Sequence, residues 1–340
     1  MTFDKNIIGH DLPQKILKNA ISADKLGHAY LFCGEEEIGK RAVAFAVAKS
    51  LLCENSIPFC GTCPSCLKAD HRTHPDLFEV SPEGSFIKIS QIKQIQAQLI
   101  LQPAIGSKKV FIIDGIDQMN LESANCFLKS LEEPPADIHF FLITSRPWMI
   151  PATLLSRCQL IRFSPPLPQD LASFLTLQKR LSKEEALRIA ERSKGKVGTA
   201  LSLDLETLDQ EDEKFFNLIR PETLAAPSKL FQLSEELSRD ADYLKKTLEW
   251  ISCFLRDMMV WKLCGQADHL IFSRNLNKIQ QWTDQFPLET LNQSFVFVQN
   301  IEKLLTRKRT ELESCHCEQS EAISRLYDKI ATHPSVLAMT

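Results

Sequence analysis

Four cysteines, Cys53, Cys60, Cys63 and Cys66, fall within fourteen residues in the pattern C-x6-C-x2-C-x2-C. Pro58, Gly61 and Pro64 bracket them and make tight turns cheap. Four soft thiolates at this spacing suit a tetrahedral Zn²⁺, whereas a redox pair needs only two. An iron–sulfur centre is the other metal chemistry such a set could serve. A metal held by four protein ligands has no open position for water, so a zinc site here stabilises its loop and performs no reaction. His71 and His74 lie near enough to replace one thiolate, but His74, in His-Pro-Asp, reads as shaping the turn before a strand.

A second chemical motif is Gly34-Glu35-Glu36-Glu37-Ile38-Gly39-Lys40-Arg41, which fits G-x-x-x-x-G-K. It follows the apolar run Ala29-Tyr30-Leu31-Phe32 and precedes an Ala- and Val-rich helix, the setting a phosphate loop requires. Glycines let backbone N–H groups turn toward phosphate, the helix N-terminus adds positive potential, and Lys40 supplies a mobile cation. The next position should carry a Mg²⁺-ligating hydroxyl, but it is Arg41, and a cation cannot ligate a cation. Three consecutive glutamates, Glu35 to Glu37, raise the negative potential where phosphate would lie. Either the loop is retained architecture or it keeps weak nucleotide binding.

The strand Val110-Phe111-Ile112-Ile113 ends at Asp114, placed to orient Mg²⁺, but the following position, where a water-activating glutamate belongs, is Gly115. Asp117 is an alternative carboxylate, although it reads better as the start of the next helix. Without hydroxyl ligand and base, ATP hydrolysis by this chain alone is not expected.

These residues need a scaffold. Leu12, Ile16, Leu17, Ala20 and Ile21 predict a leading helix with one apolar face. Further strands are predicted at 76–80, 110–113, 140–143 and 160–163. Between them lie a helix capped by Ser90, with face Ile92, Ile95, Leu99 and Ile100, and another through Ala124, Phe127, Leu128 and Leu131 that stops at Pro134-Pro135. Mostly apolar strands alternating with amphipathic helices imply an α/β parallel sheet covered on both faces. After Pro168 only helical patterns follow: a small lid, 167–208, with helices near 170–178 and 182–192, closed by Gly195 and Gly198. A connector rich in charge and proline around 210–227 then leads into an all-α bundle, 209–310, marked by Leu230, Leu233 and Leu237 and by Leu244, Leu248, Ile251 and Leu255. The tail, 311–340, lacks a sustained apolar face, and its Cys315-His316-Cys317 is too tightly spaced for one tetrahedral metal, so it reads as a frayed end.

At 340 residues the chain is long for one core and suits two or three domains. Hydrophobic residues at 44% and charged residues at 24% describe a globular protein. Forty Lys and Arg against 43 Asp and Glu give no basic field of the kind that drives independent DNA binding, so any DNA contact must be local or shared with partners. No leader pattern opens the chain and no run reaches bilayer length, so a cytoplasmic location with reduced thiols is expected.

Leu131-Glu132-Glu133-Pro134-Pro135, the strand to Thr144, and Leu155-Ser156-Arg157-Cys158 before the last strand together resemble the clamp-loader branch of the AAA family. His28-Ala29-Tyr30-Leu31-Phe32, the four-cysteine insertion and His74-Pro75-Asp76 are similar to the subunits of the bacterial DNA polymerase III clamp loader. The resemblance runs over residues 5–165 and continues only in outline beyond. It implies a P-loop AAA-type sheet domain, 1–166, with a zinc-binding insertion at 53–66, then the helical lid and a collar through which ring subunits associate. It also implies that Arg157 reaches the ATP site of a neighbouring subunit, where a guanidinium against the transition-state phosphate accelerates transfer by about 10³ to 10⁵; the alternative is a surface arginine in a loop. Thr144 takes the sensor position, or is an ordinary strand-end threonine. Gly34, Gly39, Lys40, Arg41, Asp114 and Thr144 are then the remains of a nucleotide site.

A gamma/tau-type motor keeps Gly-Lys-Ser/Thr, Asp-Glu and a later sensor arginine. Lys40-Arg41, Asp114-Gly115 and the arginine-free Ser193-Lys194-Gly195-Lys196-Val197-Gly198 depart from that and are similar to the delta-prime type, which acts as a stator. The implied cofactors are structural Zn, with ATP/Mg weak or absent. The implied partners are gamma/tau and delta subunits in a hetero-oligomeric ring, with the sliding clamp and primed DNA reached through the complex. An active ATPase subunit and a zinc-bearing adaptor outside the loader are the competing expectations.

Overall fold

A computed structural model of the protein describes residues 3–308 except 5, 85, 133, 136, 219–236, 238, 268 and 269. The chain divides into two compact units, 1–203 and 204–340. The expected boundary after residue 208 falls inside a helix, Leu205–Leu218, and the segment from 167 to 203 groups with the sheet.

The first unit is an α/β layer structure. Its strands are β1 (Ala29–Cys33), β2 (Leu77–Val80), β3 (Lys109–Asp114), β4 (Ile138–Thr144) and β5 (Gln159–Arg162). All pair in parallel, in the order β2-β3-β4-β1-β5. The helix α1 (Asp11–Ser22) leads in; parallel strands then need crossovers, and α2 (Lys40–Leu52), α3 (Pro64–Asp70), α4 (Ile89–Ile100), α5 (Leu121–Glu132) and α6 (Ala152–Leu155) supply them. The strand order and the β1–loop–α2 unit agree with the P-loop sheet domain that the resemblance implies.

Alternation along the strands feeds two cores. Tyr30, Phe32, Val110, Ile112, Phe141 and Ile143 pack with Val43 and Val47 of α2 and Leu17 of α1. Leu31, Phe111, Ile113, Phe140 and Leu142 pack with Ile92 and Ile95 of α4 and Phe127 of α5. A period-2 backbone buries both residue sets only when both faces are covered, which explains why β1 and β4 are buried throughout while the edge strand β5 exposes Leu160.

Several local expectations change. The buried face of α1 is Pro13, Gln14, Leu17 and Ile21, whereas Leu12 and Ile16 are exposed. Gln14 is inside because its amide bridges the Phe3 N–H at 2.9 Å and the Gly9 carbonyl at 2.8 Å, which rotates the helix away from the purely apolar stripe. Ser90 does not cap α4. The cap lies two residues earlier, at Lys88, whose backbone N–H is accepted by Gln91 at 2.9 Å, and Ile100 is exposed.

Three helices complete the unit: α7 (Pro168–Lys179), α8 (Lys183–Arg192, with a Ser182/Glu185 capping box) and α9 (Val197–Ser202). Gly198 lies within α9 and does not end this segment. Gly195, at φ +80°, packs against Pro165 so closely that a Cβ would come within 2.6 Å of that ring.

Among its described residues the second unit is built of helices and short connections, without strands. Residues 210–218, expected as connector, continue the helix Leu205–Leu218 because Leu208, Phe215 and Phe216 recur at helical spacing and are buried. They meet the helices Ala241–Cys264, Leu276–Gln285 and Leu288–Lys308 around an aromatic centre of Trp250, Phe216, Phe254 and Phe272. The buried indole N–H of Trp250 is accepted by Asp212 at 3.0 Å. Leu244, Leu248 and Ile251 are in this core; Leu230, Leu233 and the tail with Cys315, His316 and Cys317 lie outside the described residues. Among the described residues, no helix is long and apolar enough to cross a membrane.

Candidate functional site

The phosphate loop leaves β1 at Gly34, where glycine is required by proximity: a Cβ would stand 2.5 Å from the Phe163 carbonyl oxygen. It enters α2 at Gly39, whose φ of +108° suits glycine alone. Lys40, buried by its surroundings, donates to the Gly34 carbonyl at 2.6 Å and to that of Glu35. Burial lowers its pKa, with Asp114 and Glu36 opposing. Burial likewise raises the Asp114 carboxyl, against the charges of Arg41 and Lys40.

Arg41 pairs outside the loop. Its guanidinium donates to Glu79 of β2 at 2.9 Å, and Arg72, lying over the Phe45 ring at 3.9 Å, pairs with the same carboxylate. Glu79 was not evident as a partner from the sequence, although a lone acid in Leu77-Phe78-Glu79-Val80 is a usable signal. Two of the three loop glutamates are also engaged. Ser145 donates to Glu36 at 3.1 Å, and Glu37, at φ +61°, accepts from the Thr199 hydroxyl at 2.6 Å and, on its carbonyl, from the Gly198 N–H at 3.2 Å. A carboxylate of the loop thus meets the start of α9.

Asp117 does not start α5. It sits in a 3-10 turn, Ile116–Gln118, and its nearly inaccessible carboxylate is shared. Thr144 donates to Oδ1 at 2.7 Å, and Arg146 donates to Oδ2 through Nε at 2.8 Å and Nη2 at 2.7 Å. The Arg146 backbone N–H closes the ring on the Thr144 oxygen at 2.9 Å. A carboxylate so occupied is a poor general base. Arg146, unnoticed in the sequence, is signalled only by a cation two residues after a buried strand end. Gly115 has φ +73°, a conformation that excludes an unstrained glutamate at the base position.

The cysteine cluster is assembled by the end of α2 and the start of α3. Cys53 follows α2, and Cys63 caps α3, accepting the Cys66 N–H at 3.4 Å. All four Sγ atoms lie within 4.8 Å of one another, with Cys53 and Cys63 at 4.0 Å. A Zn–S bond of about 2.3 Å in a tetrahedron spaces sulfurs by roughly 3.8 Å, so the set fits zinc. Backbone N–H groups of Cys60 and Cys63 reach the Cys53 and Cys60 sulfurs at 3.4 and 3.3 Å, the outer support that metal thiolates use. The N–H groups of Thr62 and Cys63 pull the Cys60 thiol down to about 5, while burial pushes Cys66 up to about 12. His71 and His74 are not in the cluster. The His74 ring instead accepts the Asp76 N–H at 3.1 Å and donates to Ser65 at 2.7 Å, and Ser65 donates to Leu52 at 2.7 Å. Lys49 bridges α2 to Asp70 of α3, both oxygens at 2.6 Å.

Arg157 lies on the turn from α6 to β5, about a third exposed. It donates to the Thr153 carbonyl at 2.8 Å and to Glu132 of α5 at 2.7 Å. The sequence motifs therefore gather into three separate places: the loop with Asp114 and Thr144, the cysteine cluster, and Arg157.

Family models described as "DNA polymerase III, delta subunit" and "DNA polymerase III, delta subunit, C terminal" match residues 9–167 and 209–310. The chain is 29% identical to a Bacillus subtilis DNA polymerase III subunit delta', over 86% of this chain and 89% of that protein. It is 36% identical to a Pseudomonas aeruginosa subunit delta' over 48% of this chain and 51% of that one. With a Haemophilus influenzae subunit tau/gamma it shares 30% identity over 62% of this chain, spanning 32% of that longer protein. On the two models, which between them span most of its length, the chain belongs to the delta'-type clamp-loader subunits of DNA polymerase III.

Proposed function

We propose that this chain is a stator of the clamp loader, which completes a hetero-oligomeric ring with gamma/tau and delta subunits, helps load the sliding clamp onto primed DNA, and hydrolyses no ATP itself. The observation that carries this reading is the state of position 41. Where an ATPase needs a hydroxyl on Mg²⁺, Arg41 is bound to Glu79, and neither candidate position supplies a base, since residue 115 is a glycine and Asp117 is held by Arg146 and Thr144. ATP and Mg²⁺ therefore bind weakly or not at all at Gly34, Gly39, Lys40, Arg41, Asp114 and Thr144. In this reading 1–166 is the AAA-type domain, 167–203 its lid, and the second unit up to residue 310 the collar, which keeps the helix Leu205–Leu218 whole.

Arg157 is the chain's contribution to catalysis, given in trans: a partly exposed guanidinium inserted at a neighbour's ATP stabilises charge as the phosphoryl group leaves. Cys53, Cys60, Cys63 and Cys66 would hold a structural Zn²⁺ that ties α2 to α3. The test is ATP turnover in Mg²⁺ with primed DNA, first for the chain alone and then for the complex with gamma/tau and delta. Turnover by the isolated chain above a Lys40→Ala control makes it a motor and ends the stator reading. Within the complex, Arg157→Ala is expected to preserve assembly and lower turnover by about 10³-fold or more at the one site it serves.

A further inference from the structure

The geometry around Arg157 points to a positioning residue for it, and we propose that Glu132, at the end of α5, presets the Arg157 guanidinium for the neighbour's phosphate. This rests on the trans-arginine reading above. An arginine on a surface turn ordinarily samples many rotamers, and a finger that must be ordered during each encounter loses part of its effect. Here three acceptors of the same chain hold one arginine. Nη1 donates to the Thr153 carbonyl at 2.8 Å and, more loosely, to Ser156 Oγ at 3.4 Å, and Nη2 donates to Glu132 Oε1 at 2.7 Å.

Thr153 and Ser156 are local to the turn and fix only the near side of the group. Glu132 is 25 residues away in sequence, so it sets the angle of the guanidinium plane against α5. Among the described residues, Nε and the second Nη2 hydrogen have no acceptor on this chain, which leaves two donors for an incoming phosphate. Both members of the pair remain partly exposed, at 34% and 48% of their side chains, so water screens the carboxylate and the arginine keeps its charge toward a ligand. The contact orders the group without neutralising it. It also explains a feature that the arginine alone does not: a glutamate at position 132 joined to a motif arginine across two elements, α5 and the α6–β5 turn, that otherwise meet through apolar side chains.

Orientation and charge are separable, because Gln keeps the accepting oxygen of Glu. The experiment measures steady-state ATP turnover in the reconstituted complex for the parent, Glu132→Ala, Glu132→Gln, Arg157→Ala and the double Glu132→Ala/Arg157→Ala chain, with assembly checked by size-exclusion chromatography. Expected is a kcat lower by roughly two- to fivefold in Glu132→Ala with KM unchanged, the size set by an exposed ion pair, and near-parent turnover in Glu132→Gln. The double variant should match Arg157→Ala, since Glu132 acts through the arginine. If Arg157→Ala leaves turnover intact, the trans-arginine reading fails and takes this one with it. If Arg157→Ala lowers turnover but Glu132→Ala matches the parent, or raises it, or if the double variant loses more than Arg157→Ala, the finger stands and the positioning role is overturned.

Discussion

Replacing Asp117 by alanine tests whether Thr144 and Arg146 are held by one buried carboxylate. In the folded chain the Asp117 side chain is 2% exposed and accepts from Thr144 on one oxygen and from two nitrogens of Arg146 on the other. Breaking a fully buried pair by removing one partner costs ~3–5 kcal/mol. Arg146 retains 21% exposure, so water recovers part of its solvation, and the net loss is ~2–3 kcal/mol including the orphaned Thr144 hydroxyl. For a cooperative unit of this size each kcal/mol lowers Tm by about 2–4 °C, so Asp117→Ala should melt roughly 5–10 °C below the parent. Asp117→Asn keeps an acceptor for Thr144 and should lose about half as much. Thermal denaturation followed by circular dichroism, with a matched Arg146→Ala chain and the double variant, reads both the loss and the coupling. A melting point within about 2 °C of the parent would refute the reasoning, because it would mean that Arg146 and Thr144 find equal partners in water.

Elemental analysis of the purified chain should find about one zinc per molecule, and Cys63→Ser should abolish it, with hydrogen exchange rising across 53–74 and little change in β1 or β4. Visible absorbance typical of an iron–sulfur centre would contradict zinc. Gly115→Glu, which places a carboxylate where motors carry their base, should leave ATP turnover at the parent level. The residue sits at φ +73° with Pro82 only 3.2 Å from a new Cβ, and the substitution should destabilise by ~1–2 kcal/mol in urea titration. Restored hydrolysis would show that the loop and Asp114 are intact and that only the base was missing.

The outcome at Arg41 separates what one chemical identity states from what a fold decides. That no hydroxyl follows Lys40 is plain from the sequence. That Arg41 turns to Glu79, together with Arg72 from the cysteine segment, depends on β2 lying beside β3 at the sheet edge, a pairing between residues tens of positions apart. Asp117 illustrates the same limit. Local helix-start chemistry argued for α5, but the carboxylate is claimed by Thr144 and Arg146 at the end of β4, because the parallel register sets Asp114 beside Ile143. Local preference is worth about 1 kcal/mol or less, and a buried charge pair outweighs it.

What the sequence determined by itself was whatever short-range patterning carries. The β1–loop–α2 unit, five strands, the clustered thiols and the helical second half all follow from spacing within about a dozen residues, and the structure has each of them. The face of α1, the start of α4 and the helix through 210–218 needed the tertiary structure, since a buried Gln14, an accepting Gln91 and the aromatic core around Trp250 decide them. The tertiary structure also decided which acid meets which arginine: Glu79 with Arg41, Asp117 with Arg146, Glu132 with Arg157. Hydrophobic period is a local property of the chain, whereas charge pairing is set by which distant segments the packed sheet and helices bring within 3 Å of each other, and spacing along the sequence does not encode that.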